Sequence, residues 1–201
     1  MGKVKGVKEK LQFPLYDAFF VPPDPLKKLK DFMTDPRMIR FFVDVQNKTR
    51  LETNLQASGV LPSLNTFEAR AMRVVGAPPI TFTFDPKEPK TTTVSPDVFL
   101  ANLIYNSVTT LLVGEKTMIE VPTFYFPSGA GVSPGNGTVT NHGEPDPMAT
   151  FRFAEPVSID PQQNFRVEML FPQGVPDSVK YAPGPLRIWV VLDGYLTRDA
   201  Q

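Results

Sequence analysis

The sequence predicts an all-β fold, and three observations predict it. Proline makes up 22 of the 201 residues, well above the usual frequency of roughly 5%. The prolines are spread through "VPPDP", "GAPPI", "DPKEP", "GEPDP", "AEPV", "IDPQ" and "YAPGP". Proline cannot donate to a sheet ladder and is confined to turns, strand ends and edges, so these positions read as corners. Between them lie short runs rich in Phe, Val, Ile and Thr, residues that fit a pleated, half-buried surface. Several runs also alternate apolar and polar, as in Phe165, Val167 and Met169. That period of two places successive side chains on opposite faces of a sheet.

Each element can be justified in order. "MGKVKGVKEK" is a basic start, with Lys3, Lys5, Lys8 and Lys10 against Glu9. "LQFPLYDAFFVPPDP" is apolar but broken by proline, an extended segment laid on the body or on a neighbour. In "DPLKKLKDFMTD", Leu26, Leu29 and Phe32 recur at helical spacing. Asp24 suits an N-cap there and Pro25 the first helical position. Strands are expected over 38–46, 67–75, 79–84, 107–113, 116–121, 149–153, 163–171 and 186–198. "SPDVFLANLIYN" reads as a second helix opened by Ser95 and Pro96. Gly114-Glu115 suits a two-residue hairpin turn, and the segment around Asp160-Pro161 also reads as a hairpin. Gly194 marks a bulge or a close backbone approach. Trp189, inside an apolar run, is expected to pack inward. Residues 127–147 lack periodicity and form a long Gly-, Pro- and Asn-rich loop, a length more common in functional than in merely connecting segments.

Eight strands with one or two short inserted helices suit an eight-stranded jelly-roll β-sandwich, two Greek-key sheets face to face. A barrel or another Greek-key topology uses the same elements, because strand order is not written in one sequence. The division expected is a basic, Pro-rich N-terminal arm with a short helix over 1–35 and a single jelly-roll domain over 36–201.

Composition narrows the chemistry. With 21 basic and 21 acidic side chains, the chain lacks the basic excess of a dedicated nucleic-acid binder. Cysteine is absent, which removes disulfides and thiolate chemistry. No apolar run approaches the roughly 18 residues of a membrane span. The N-terminus has no apolar stretch behind its lysines, so no secretory signal is expected, and Gly6 stands where myristoylation wants Ser or Thr. His142 is the one histidine. No Gly-x-Ser-x-Gly elbow accompanies it, and one imidazole does not build a histidine metal site. "GAGVSPGNG" lacks the Lys-Ser/Thr of a phosphate loop. "GEPDP" and "FDPKEP" read as turns rather than calcium loops. The sequons at Asn47 and Asn136 read as chance matches. No cofactor, metal or small-molecule substrate is expected, and the chain reads as a non-enzyme. Were it an enzyme on a β-sandwich, a pair among Asp44, Glu52, Asp160 and Glu168 would have to converge.

The layout as a whole resembles a known group. The basic arm, "TNLQASGVLPSLNTFEARAMRV", a middle with an inserted helix, "FAEPVSIDPQQNFRVEMLFP" and a closing "IWVVLDGYLTR" resemble the small single jelly-roll capsid proteins of tailless icosahedral viruses, particularly bacteriophages. The likeness covers most of residues 36–201 and rests on this layout and two short phrases. It implies a structural shell protein that is made in the host cytoplasm and resides in the virion. Such a protein self-assembles into homo-oligomeric capsomers, with or without other capsid proteins. It implies an arm inside the shell, where Lys3, Lys5, Lys8 and Lys10 meet genome or an internal membrane. Phe13, Tyr16, Phe19 and Phe20 would then dock on a neighbour; the plainer alternative is that they complete the subunit's own core. A lectin-like or phage receptor-binding module is the other reading of the same fold.

Overall fold

The computed structural model describes residues 6–77, 79–85, 92–127, 134–135, 138–139 and 148–199. Two antiparallel sheets share one core, as expected of an all-β sandwich. The first contains β1 (Lys8–Gln12), β2 (Leu15–Val21), β4 (Thr66–Ala77), β11 (Phe151–Ile159) and β13 (Leu186–Asp199), in the order β1-β13-β4-β11 with β2 also on β13. The second runs β3-β12-β7-β8, from β3 (Met38–Phe41), β12 (Phe165–Leu170), β7 (Val108–Val113) and β8 (Lys116–Pro122). A separate two-stranded ribbon pairs β5 (Phe82–Phe84) with β6 (Thr92–Val94), and another pairs β9 (Pro134–Gly135) with β10 (Thr138–Val139). Helices α1 (Pro96–Tyr105) and α2 (Asp177–Lys180) sit in connections. Inward-facing Leu15, Phe67, Ile188, Val190 and Leu192 of the first sheet pack with Phe41, Leu111, Phe165, Val167 and Met169 of the second.

The pairing is nested. β1 and β2 pair with the last strand, β3 with β12, β4 with β11, and β7 with β8. Gln12 lies opposite Tyr195 and Leu15 opposite Leu192, so β1 and β2 follow β13 in one unbroken register. They count as two strands because of Phe13-Pro14: Phe13 N–H still reaches Gly194 O at 3.1 Å, but Pro14 has no N–H to offer.

Several expectations stand and several need correction. α1 begins at Pro96 behind Ser95 and buries Phe99 and Leu103. Gly114 takes φ +60 in the β7–β8 turn. The helix expected after Asp24 shrinks to a 3₁₀ turn over Leu29–Phe32. The reason is that Leu26, at the same helical spacing, is 88% exposed and Asp24 instead accepts the Leu26 N–H in a local turn. The expected strand at 38–46 stops at Phe41, because Phe42 turns the chain with φ 67. The strand expected at 79–84 supplies only β5, outside both large sheets. The hairpin expected around Asp160-Pro161 is a link between sheets, since β11 pairs with β4 while β12 lies between β3 and β7. Alternation holds there, and it reports a buried face and not a partner. Trp189 points outward, half-buried, because its neighbours Ile188 and Val190 take the core face. Its indole N–H donates to Leu51 O at 2.9 Å.

Gly194 is a close approach and an irregularity at once. The register passes from Asp193 opposite Ala71 to Gly194 opposite Ala69, leaving Arg70 unopposed on that side. On the other side β11 also skips Arg70, passing from Arg152 opposite Ala71 to Val157 opposite Ala69. A Cβ at Gly194 would sit 2.1 Å from Glu68 O, an overlap that only separation of β13 from β4 relieves. Gly194→Ala is therefore expected to cost about 3 kcal/mol, the upper range for overpacking, read from urea denaturation. A cost within experimental error would show that the two backbones are not held this close.

Candidate functional site

Of the residues expected to form a basic and aromatic arm, the described ones lie along β1, β2 and the Phe13-Pro14 step between them. Lys8 and Lys10 lie on β1, where the Lys10 ammonium is 2.8 Å from Glu68 and 4.8 Å from the centroid of the Tyr195 ring. Lys3 and Lys5 lie outside the described residues, as do His142 and most of the 127–147 loop. Phe13 is exposed, while Tyr16, Phe19 and Phe20 are half-buried. Tyr16 O–H donates to Arg50 O, and the Arg187 guanidinium stacks 4.3 Å from the Phe20 ring centroid. These side chains therefore contact their own subunit.

The start of the outer edge of β2 is covered by the connection after β3. Asn54 N–H and the Thr53 hydroxyl donate to Tyr16 O, Tyr16 N–H donates to Asn54 Oδ1 at 3.0 Å, and the Asn54 carboxamide reaches Pro14 O at 2.7 Å. An uncovered edge is a template for unwanted pairing, and this strap closes its first part, at Pro14 and Tyr16. A buried carboxylate fixes the strap. Asp17 is 0% exposed; it accepts Phe42 N–H at 2.7 Å and two contacts from Lys48 Nζ at 2.9 Å. Burial pushes its pKa above the ordinary range, while Lys48 and the Phe42 N–H pull against that rise. In the same strap Glu52 is buried too, yet its carboxyl is held below its ordinary value. There burial is outweighed by hydrogen bonds from Thr49 and Arg187, the latter at 2.8 Å.

The acids weighed for catalysis fall on three elements, with Asp44 and Glu52 sharing the connection after β3. Glu52 is occupied by Thr49 and Arg187, and Glu168 on β12 is paired with Arg166 at 2.8 Å. Asp44 lies in the connection after β3, and Asp160 lies in the link between β11 and β12. Among the described residues no group of three or more His, Cys, Asp or Glu is arranged to hold a metal.

Among the described residues an aromatic ladder lies at the surface. Tyr105, the last residue of α1, lies 6.0 Å from Phe124; Phe124 stacks on Tyr125 at 4.9 Å; Tyr125 meets Phe151 edge-on at 6.3 Å. Phe126 and Phe153 continue it on either side of Phe151. Tyr105 is 73% exposed, and Phe124 and Tyr125 are about half exposed. Local sequence explains the exposure. "TFYFP" puts three aromatics in a row after β8, and a 3₁₀ turn over Thr123–Tyr125 buries Thr123 while turning Phe124 and Tyr125 outward.

Buried hydroxyls hold this turn in place. Ser107 O–H donates to Leu103 O at 2.6 Å, so in its 2.7 Å contact with Thr123 the serine must accept. Thr123 has then given its only proton, and Thr109 must donate to it at 2.8 Å. The chain Thr109, Thr123, Ser107, Leu103 thus has one direction by proton count. It ties the end of α1 and the ladder turn to β7.

Two open grooves flank the ladder, of 310 Å³ and 250 Å³. The first has Val74, Leu100, Ile104 and Phe126 in its wall, and the second Asn106, Pro122, Pro172 and Gln173; Tyr105 and Phe124 belong to both. Neither is lined by a charged residue among those described, on a chain in which 21% of residues are charged. Such a surface takes a neutral, apolar or ring-shaped group. Sequence reasoning missed it, although three successive aromatics cannot all face one core from an alternating strand. No protein-family model matches the chain, and no curated protein matches it.

Proposed function

We propose that this chain is a jelly-roll shell subunit, a capsid protein of a tailless icosahedral virus with a bacteriophage-like layout, that self-assembles into capsomers.

 The observation that carries this reading is the nested pairing of residues 8–21 with β13, β3 with β12, β4 with β11 and β7 with β8. One long antiparallel hairpin wound around itself gives that order, and a jelly roll is such a winding. The strap over the start of the β2 edge also supports it, since a subunit held at high local concentration must limit pairing through open strands. Fold alone does not fix function, so the shell role rests on the layout resemblance and on assembly, which is measurable. In this reading the protein resides in the virion, carries no catalytic site, and meets copies of itself and other capsid proteins. Lys3 and Lys5 then face genome or an internal membrane.

Light scattering of the purified chain, followed by negative-stain imaging of any large fraction, tests this. Rings or shells are the expected result. A monomer at all salt and protein concentrations would sink the proposal. A lectin-like or receptor-binding module is the second reading, and the uncharged aromatic ladder is the observation in its favour. It calls for a monomer or trimer that binds a neutral glycan with saturation.

A further inference from the structure

We infer that the aromatic ladder of one copy receives the 22–26 loop of the next copy, in a head-to-tail contact. This rests on the shell-subunit reading and specifies which surfaces meet. The 22–26 loop, "PPDPL", presents exposed Pro23 and Pro25 and a Leu26 that is 88% exposed. Its shape is set before any contact. Proline fixes φ at Pro22, Pro23 and Pro25, and Asp24 Oδ1 accepts the Leu26 N–H at 2.9 Å. A preset apolar tip loses little conformational entropy when it docks. Asp24 keeps one carboxylate oxygen on the loop's own Leu26 N–H, and the exposed side chains beside it, Pro23, Pro25 and Leu26, are the apolar part of the tip that meets the uncharged grooves beside Tyr105 and Phe124.

Topology places the two surfaces for side-by-side contact. β2 and β3 are outer strands on one side of the sandwich, and the 22–26 loop follows β2. β8 and β11 are outer strands on the other side, and the ladder runs from the residues after β8 to the start of β11. Both surfaces also lie at one end. The connection between β12 and β13 touches the first at Gly184, where an added Cβ would lie 1.9 Å from Pro22 O, and lines the second with Pro172 and Gln173. Tip and groove on opposite sides at the same height join neighbours around an axis running along the strands. The two surfaces differ, so the contact is heterologous, and repeated rotation closes it into a ring.

The absence of cysteine makes the test clean. Leu26→Cys and Phe124→Cys are made singly and together, and the assembled proteins are exposed to mild oxidant. The expected result is a ladder of covalent multimers from the double variant, dimers from a mixture of the two single variants, and none from either single variant alone. Dimers from one single variant alone would indicate a symmetric contact and overturn the inference. If the parent chain assembles but the double variant does not cross-link, this contact is wrong while the shell reading stands. If the parent chain stays monomeric, the shell reading fails and takes the contact with it. As a second arm, Leu26→Asp is expected to leave the melting temperature unchanged and to raise the concentration needed for assembly about tenfold or more, as for a central interface residue. Assembly of that variant at the parent concentration overturns the inference.

Discussion

Deletion of residues 1–21 is expected to abolish cooperative folding of the subunit, whereas deletion of residues 1–7 leaves its melting temperature unchanged. Residues 8–21 run along β13 in a single register. They contribute Leu15, Ala18 and Val21, which are 2%, 0% and 0% exposed. Burial of a Leu or Val side chain is worth about 1.5–3 kcal/mol. Losing these residues also uncovers Ile188, Val190 and Leu192, buried at 0% exposure, and opens one edge of β13. A domain's whole net stability is about 5–15 kcal/mol, so the loss consumes most of it. The opened edge then invites aggregation. Thermal unfolding followed by near-ultraviolet circular dichroism decides the matter. A chain lacking residues 1–21 that melts cooperatively near the parent temperature would show that this segment is dispensable to the subunit. The comparison also constrains assembly experiments, because only the shorter deletion removes the N-terminal lysines Lys3 and Lys5 while sparing the sheet.

Lys48→Met is expected to destabilise the fold by about 3–5 kcal/mol, the usual effect of stranding a buried charge. Asp17 is fully buried, with Lys48 Nζ 2.9 Å from each carboxylate oxygen. It also holds the N–H of Phe42, a bulky residue at φ 67, where such residues are strained. Adding Asp17→Asn to Lys48→Met removes the stranded charge and keeps an acceptor for that N–H. The double variant is therefore expected to be more stable than Lys48→Met alone. Equal or lower stability of the double variant would refute the pairing.

The pH dependence has a defined sign. Burial raises the Asp17 pKa in the folded chain, so the folded state holds its proton more tightly than the unfolded state does. The stability tied to that proton is fully present below the unfolded carboxyl range and is lost as pH rises through the folded pKa. Without Lys48 the attraction that opposes the rise is gone, and the folded pKa climbs further. The defect of Lys48→Met is accordingly smallest in acid and grows as pH rises. Glu52 acts in the opposite sense. Its folded pKa is lowered, so its contribution is present above the unfolded value and is lost as pH falls through the folded one. Urea denaturation of parent and variant across pH separates the two, since Glu52 is common to both and cancels in their difference.

Much of the fold is determined by the sequence itself. Prolines mark the corners, alternation marks the strands from Thr66 to Ala77 and from Phe165 to Leu170, and Ser95-Pro96 starts α1 where a helix was expected. Gly114 and Gly194 sit where a turn and a close approach need them. These features are legible because each depends on a residue's own backbone preference or on a period of two within one segment. Tertiary structure decided the rest. Residues 8–21 look like a proline-broken arm, and only the presence of β13 beside them makes them strands. β11 and β12 look like a hairpin, yet their inward faces meet across the core from opposite sheets. Asp17 looks like a surface acid in "LYDAFF", and its burial exists only because Lys48 and Phe42 arrive from elsewhere in the chain. The aromatic ladder likewise draws Tyr105, Phe124, Tyr125 and Phe151 from α1, a turn and β11. Periodicity reports which side of a segment is buried, whereas the partner that buries it is a non-local choice settled by packing of the whole chain.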